Sequence, residues 1–551
     1  MSKNRIFIPL LIVLFAFIPR YIYLTQIESS DPSFYHLLAG TDARTFQGWA
    51  ENILQGKIEG NDKLLYTSFL SLIYRWAGND LYAVRLIQII LGSLIPLLLY
   101  FTGKLLYRES VGLVAAGLAS FYAPFVFYEG TILIASFQVF LMALLLFALS
   151  LAVKRLRPLY WLAAGLVMGL MSIDRGNILL FIPFFLLGIP AVFKGTGKKL
   201  WQGVTFFFLG IAIVQAGLFS LHFSLTGTGK VKTNPLGVHL YRGNAYGASG
   251  QYGRLSALPA VPPGQSYLLA TARSIRAHPG AWMKLLGRKS LFFLNRYEIP
   301  NNYSFEYSQR YYSLLRYLLH FGWIAPLGLL GMVMAARERR LRLFLLLALS
   351  YGISIIAFFV VSRYRLPFVP LLILFAAYLL TNARRFLQEA RVSRKVIYFF
   401  LIIGLFWISN RNLHLSYPNA PYNWGSAYLQ AGNFQKAIPH FEEAIRIYPG
   451  YAKAYDALGN SYLRLGEIDK AIVAYERAVS LESGKASFHN NLGTGYFEKG
   501  RWEEAIREYE KALELRPDYD KPYYNLGNLY RRLGREKEAR EMFRKAKGLK
   551  D

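Results

Sequence analysis

Long apolar runs separated by short basic loops fill the first three quarters of the chain. Such runs lie near 6–24, 84–106, 111–128, 131–153, 159–173, 177–193, 200–222, 312–336, 341–361, 366–382 and 396–412. A straight helix needs about 20 apolar residues to cross a bilayer core, and several of these runs are shorter, so the span count is set to within one or two. The pattern predicts an all-α, polytopic membrane helix bundle of about 11 spans over residues 1–412. The first run follows Lys3 and Arg5 and lacks a small-x-small cleavage site, which predicts a retained anchor. Basic residues mark alternate loops: Arg108; Lys154, Arg155 and Arg157; Lys194, Lys198 and Lys199; Arg337, Arg339, Arg340 and Arg342; Arg384, Arg385, Arg391, Arg394 and Lys395. Positive loops stay cytoplasmic. The N-terminus is therefore expected inside and the C-terminal tail outside. Two long, aromatic-rich loops, 25–83 and 223–311, are expected to fold over the outer mouth.

From Pro418 the pattern changes to a period of 34, with units starting at Pro418, Ala452, Ala486 and Asp520. Position 8 is Gly425, Gly459, Gly493 and Gly527, and position 20 is Ala437, Ala471, Ala505 and Ala539. Position 11 is Tyr428, Tyr462, Tyr496 and Tyr530, and position 24 is Phe441, Tyr475, Tyr509 and Phe543. Position 27 is Ala444, Ala478, Ala512 and Ala546. Small residues at 8 and 20 allow two antiparallel helices to approach, and the bulky ones fill the space between. The array resembles the tetratricopeptide repeat, with four units over 418–551. The resemblance implies a helical solenoid whose concave face binds peptides or proteins. A spacer without a ligand is the alternative.

Composition supports the membrane reading. The chain is 54% hydrophobic and 17% charged, against about a quarter charged in soluble proteins. It contains no cysteine, which excludes disulfides, thiolate metal sites and cysteine nucleophiles. The net charge of +30 is unevenly spread, with 22 basic and 19 acidic residues from Pro418 on, and 41 basic against 14 acidic before it. Basic excess in short loops between apolar runs points to membrane topology and anionic lipid rather than nucleic acid.

Few residues in the apolar part carry chemistry. Asp42 lies in Gly40-Thr41-Asp42-Ala43-Arg44, ahead of Phe46, Trp49, Ala50, Ile53 and Leu54. That spacing predicts a short amphipathic helix on the membrane surface with Asp42 at its N-terminal end. A plain N-cap is the alternative use of that aspartate. Glu129 sits between two spans, and Asp174-Arg175 follows a short one. An ionisable group at a membrane edge is costly unless used or paired. Arg363 and Arg365, in Ser362-Arg363-Tyr364-Arg365-Leu366-Pro367, break the charge alternation on the outer side. Arginine grips phosphate in a fork geometry, so a lipid phosphate is one reading and snorkelling to headgroups another. The stretch from Gly237 to Tyr252 holds His239, Tyr241 and Asn244 among glycines, which suits a hydroxyl-rich ligand or a turn-rich loop. The P-loop lysine motif, His-Glu-x-x-His and Gly-x-Ser-x-Gly are absent.

Together these strings resemble the family-C glycosyltransferases, and more narrowly the protein O-mannosyltransferase and aminoarabinose-transferase group of bacterial membrane enzymes. The strings are Asp42 to Gly56, Tyr82 to Gln88, Tyr128-Glu129-Gly130, Ser172 to Asn177, and Arg363 to Pro367, in that order over about residues 5–410. The resemblance implies an inverting transfer of a hexosyl or pentosyl group from a polyprenyl-phosphate carrier to a lipid, glycan or protein acceptor, outside a bacterial cytoplasmic (inner) membrane. It makes Asp42 the general base, and Arg363, Arg365 and Arg175 the donor-phosphate ligands. Glu129, Asp174, His239, Tyr241 and Asn244 would bind acceptor or substrate. Many members carry a second acid beside the first, where this chain has Ala43. Metal independence is therefore expected, with no cofactor beyond the donor itself. A membrane polysaccharide polymerase or ligase, and a non-catalytic scaffold displaying the repeats, are the competing functions.

Overall fold

The computed structural model describes residues 4–38, 41–58, 61–192, 197–226, 236–249, 258–262, 264–300, 304–358, 360–389, 391–413, 415 and 417–549. Among these the chain is helical throughout, apart from turns and one isolated bridge between Tyr122 and Leu319. It divides into two compact units, one of residues 1–34 and 39–413, the other of 35–38 and 414–551.

Among the described residues of the first unit, seven helices are long and apolar enough to cross a membrane: Phe7–Ser30, Leu81–Leu106, Ile134–Arg155, Leu200–Leu221, Arg339–Ala357, Ser362–Gln388 and Val392–Asn410. Four shorter apolar helices accompany them: Glu109–Ser120, Pro158–Asp174, Gly176–Ile189 and Phe321–Ala335. The expected span 111–128 is broken. Pro124 opens a second helix, Ala123–Glu129, where its missing N–H removes no bond. The Ala123 N–H donates to the Leu319 carbonyl at 2.7 Å, so a neighbouring segment satisfies the break. The expected span 312–336 is likewise divided, into helices Leu314–Tyr317 and Phe321–Ala335. Helices approach closely where a side chain is missing. A Cβ on Gly165 would stand 2.0 Å from the Phe207 carbonyl oxygen.

The described residues of the two loops expected on the outer side include five helices. The first holds helices Asp42–Leu54 and Leu64–Ala77, the second Leu236–Asn244, Tyr267–Ala277 and Pro279–Leu294. Helix Asp42–Leu54 buries Ala43, Phe46, Gln47 and Ala50, while Leu54 stays exposed. That is the amphipathic segment the spacing predicts. The stretch 237–252, read as turn-rich, starts instead with helix Leu236–Asn244. Its last three residues, Gly250, Gln251 and Tyr252, lie outside the described residues, as do Lys3 and Lys194.

The second unit carries eight helices in pairs: Asn419–Gln430 with Phe434–Ile447, Ala452–Arg464 with Ile468–Leu481, Ala486–Lys499 with Trp502–Leu515, and Asp520–Arg532 with Glu536–Gly548. The period works through contact. A Cβ on Gly425, Gly459, Gly493 or Gly527 would lie 2.6–2.8 Å from the ring of Phe441, Tyr475, Tyr509 or Phe543 of the same repeat. Each position-20 alanine is at most 1% exposed. Position 15, which the sequence pattern above leaves unused, is Gly432, Gly466, Gly500 and Gly534, all with φ between +74° and +80°. These glycines close the first helix of each pair in a left-handed turn.

Candidate active site

Asp42 is the first residue of its helix, but the cap is Thr41, whose hydroxyl accepts from the Arg44 N–H. The Asp42 carboxylate is therefore not consumed by capping. It pairs with Arg363, 321 residues away, near the start of the Ser362–Gln388 helix. Both partners keep some access to solvent: the Asp42 side chain is 34% exposed and that of Arg363 12%.

Next to Arg363 on its short helix, the Tyr364 ring carries a guanidinium on each of two approaches. Arg363 lies 5.2 Å from its centroid and Arg175 4.8 Å. Arg175 is buried, and neither of its terminal nitrogens makes a hydrogen bond of normal geometry, with Tyr351 as its hydroxyl neighbour. Lys63 also acts electrostatically on Tyr364, and it forms an ion pair with Asp62 at 2.8 Å. Asp42, Arg363, Tyr364, Arg175 and Lys63 thus form one chain of interacting groups, with three cations and an acid at its end. Such a cluster offers guanidinium forks to an anion and a carboxylate to a proton.

Arg365 goes elsewhere. It is buried, packs over the Phe321 ring at 3.7 Å, and bonds Glu298 at 2.8 Å. Its other terminal nitrogen donates to the carbonyls of Phe292, Phe293 and Asn295. Two residues along a tight helix turn a side chain to another face, so Arg365 braces the second loop and its fork is already occupied.

Asp174 is also engaged. Its two oxygens accept the N–H groups of Leu65 at 3.0 Å and Tyr66 at 2.9 Å. It thereby caps helix Leu64–Ala77, whose own N-cap residue, Lys63, makes no side-chain cap. Lys63 and Arg175 both act electrostatically on Asp174, which ties that cap to the cation cluster. Tyr66 in turn donates to Gln88 at 2.8 Å, and Gln88 donates to the carbonyls of Glu129 and Thr131. Glu129 is buried and paired with Arg20 at 2.6 Å. The structure therefore puts Asp174 and Glu129 in the frame of the site, not among groups open to an acceptor.

The second-loop candidates separate. His239 is half-buried, and burial, with Arg242 and Lys63 nearby, holds its imidazole below the usual range. It is thus brought toward Lys63. Tyr241 is buried and donates to the Pro259 carbonyl at 2.8 Å. Asn244 is buried and braces the loop, accepting from Lys289 at 3.0 Å and Trp282 at 3.2 Å. Lys289 is wholly buried and also donates to the Phe358 carbonyl at 2.7 Å, and burial pushes its amine down to about 7. Among the described residues no three His, Asp or Glu side chains gather as a metal-holding group.

Lys63, Tyr364, Arg20 and Lys289 are the residues that sequence reasoning passed over. Lys63 carries one signal, a basic residue just ahead of an apolar helix and next to Asp62. Arg20 carries another: a charge inside an apolar run is costly and calls for a partner.

The fold and this site define a multi-pass membrane protein with a charged cluster at the end of its helices, joined to a repeat domain. Residues 64–222 match the family described as dolichyl-phosphate-mannose-protein mannosyltransferase. Tetratricopeptide repeat families match residues 417–481, 495–534 and 521–551. The chain thus combines a family-C glycosyltransferase-like membrane region with tetratricopeptide repeats. The first match begins after Asp42 and ends before Arg363. No curated protein matches the chain. Among solved structures, MamA from Desulfovibrio magneticus is 23% identical, with a TM-score of 0.24, over 31% of this chain and 92% of that one. PilF from Pseudomonas aeruginosa is 30% identical, with a TM-score of 0.23, over 24% of this chain and 60% of that one.

Proposed function

We propose that the chain is an inverting glycosyltransferase that moves a sugar from a polyprenyl-phosphate carrier to an acceptor on the outer face of the cytoplasmic membrane. The observation that carries this reading is the meeting of Asp42 with Arg363 at the start of an apolar helix, with the buried Arg175 at the same tyrosine ring. Asp42 takes the proton of the acceptor hydroxyl as its oxygen bonds to the anomeric carbon. The bond from that carbon to the phosphate oxygen breaks, and its electron pair leaves with the phosphate. Arg363, Arg175 and Lys63 stabilise the charge that collects there. His239, near Lys63, meets a sugar or acceptor hydroxyl. No metal or cofactor enters this scheme. The repeats bind a protein partner or a protein acceptor.

The test is sugar transfer by full-length protein in membranes. Asp42→Asn should abolish transfer at unchanged membrane abundance. Transfer at the parental rate would remove Asp42 as base and with it this mechanism.

A further inference from the structure

We infer that the Asp42–Arg363 ion pair is the resting state of the site, and that the donor phosphate releases Asp42 by taking Arg363 from it. This rests on the transferase reading and adds its regulation: seating the donor releases the carboxylate oxygen that the resting pair engages.

Three observations carry it. First, the pair is built to exchange partners. Its side chains are 34% and 12% exposed, whereas those of Arg20–Glu129 and Arg365–Glu298 are at most 2% exposed. Water that reaches a pair weakens it relative to a wholly buried one, so a competing anion displaces this pair more readily than the other two. Second, the competitor has a place to stand. Arg363 and Arg175 address the same Tyr364 ring, and both have buried nitrogens without a hydrogen bond of normal geometry: Nε of Arg363, Nη1 and Nη2 of Arg175. An anion bridging the two arginines offers them charge-assisted bonds in place of the neutral Tyr364 and Tyr351 hydroxyls, and it draws Arg363 away from Asp42 in doing so. Third, the exchange frees the atom the reaction needs. Oδ2 of Asp42 accepts from the Arg363 guanidinium, so one of the two carboxylate oxygens is engaged. Moving Arg363 onto phosphate returns that oxygen to the set that can accept the proton of an acceptor hydroxyl.

The experiment is equilibrium binding of polyprenyl phosphate, carrying no sugar, to the purified full-length protein in lipid nanodiscs. If Asp42 competes for Arg363, Asp42→Asn binds this probe about 3- to 5-fold more tightly than the parent. The gain should vanish when Asp42→Asn is made in an Arg363→Gln background, because the competition runs through that guanidinium. Arg175 and Lys63 remain in that background to hold the probe. Equal or weaker binding by Asp42→Asn overturns the inference. So does a gain of equal size in both backgrounds. Transfer assays separate the two levels: lost transfer with unchanged probe affinity removes only the resting-state pair, whereas retained transfer removes the enzyme reading itself.

Discussion

Arg363 and Arg365 stand two residues apart, yet they belong to different regions of the molecule. Arg363 reaches an acid at the edge of the bundle, with both partners partly open to solvent. Arg365 turns inward to Glu298, three carbonyls and an aromatic ring, as Arg20 turns inward to Glu129. The same pair of residue types therefore does two jobs. Inside, low dielectric makes an unpaired charge so costly that the pair is locked, and it serves to fix elements together. At the edge, water weakens the pair, and its members are held less firmly. The partner each arginine meets, together with the water its pair keeps, separates the two.

The comparison can be broken by mutation. Arg20→Met leaves the Glu129 carboxylate buried without its partner, and removing one member of such a pair costs about 3–5 kcal/mol. Thermal unfolding in detergent and membrane abundance should both fall sharply. A stable Arg20→Met protein would show that the inner pair is not a lock. Asp42→Asn breaks the edge pair instead. Transfer should drop by about 10²–10⁴-fold, the usual contribution of a general base. The unfolding temperature should fall less than in Arg20→Met, since the edge pair keeps water that the inner pair lacks. A large loss of stability there would erase the distinction between the two regions.

The repeat unit sharpens the contrast, because its ion pairs, such as Arg501–Glu504 and Lys511–Glu514, lie on the surface and its stability rests on packing. Gly459→Ala would push a Cβ to 2.6 Å from the Tyr475 ring, and overpacking of this kind costs about 1–3 kcal/mol. Limited proteolysis of the full chain, read at residues 418–551, should speed up accordingly. An unchanged rate would mean that the ring is free to shift.

The smallest expected effect concerns Lys289, a buried cation with carbonyl partners where the inner arginines have carboxylates. Its amine lies at about 7 in the fold and near 10.4 when unfolded, so between those values the unfolded chain binds more protons. Stability should therefore rise with pH above 7, and fall again as pH drops back toward 7. Over one pH unit the rise is at most about 1.4 kcal/mol. Unfolding temperature measured between pH 7 and 8 should show this slope, and Lys289→Met should flatten it. An unchanged slope in Lys289→Met would place the titration on another group.

Much of the architecture was legible from local pattern. A period of 34 with Gly at position 8 and an aromatic at position 24 is a local packing rule, and each glycine of the structure meets its own repeat's ring. Asp42 at the head of an amphipathic helix was readable for the same reason. Helix Leu236–Asn244 was not, because its glycines and polar residues carry no strong apolar period. Its place comes from Lys289, which clasps both Asn244 and the distant Phe358 carbonyl.

By itself, the amino-acid sequence determined the helical class, the apolar helices, the repeat array and the short set of charged residues at membrane edges. These follow from hydrophobic period and from the cost of leaving backbone or charge unsatisfied in an apolar medium. Only the tertiary structure decided which charge meets which: Asp42 with Arg363 across 321 residues, Asp174 with the amides of Leu65 and Tyr66 across 109 and 108. Pairing over such separations is set by how helices pack, and the same packing fixes how much water each pair retains, which is what divides the edge arginine from the inner one.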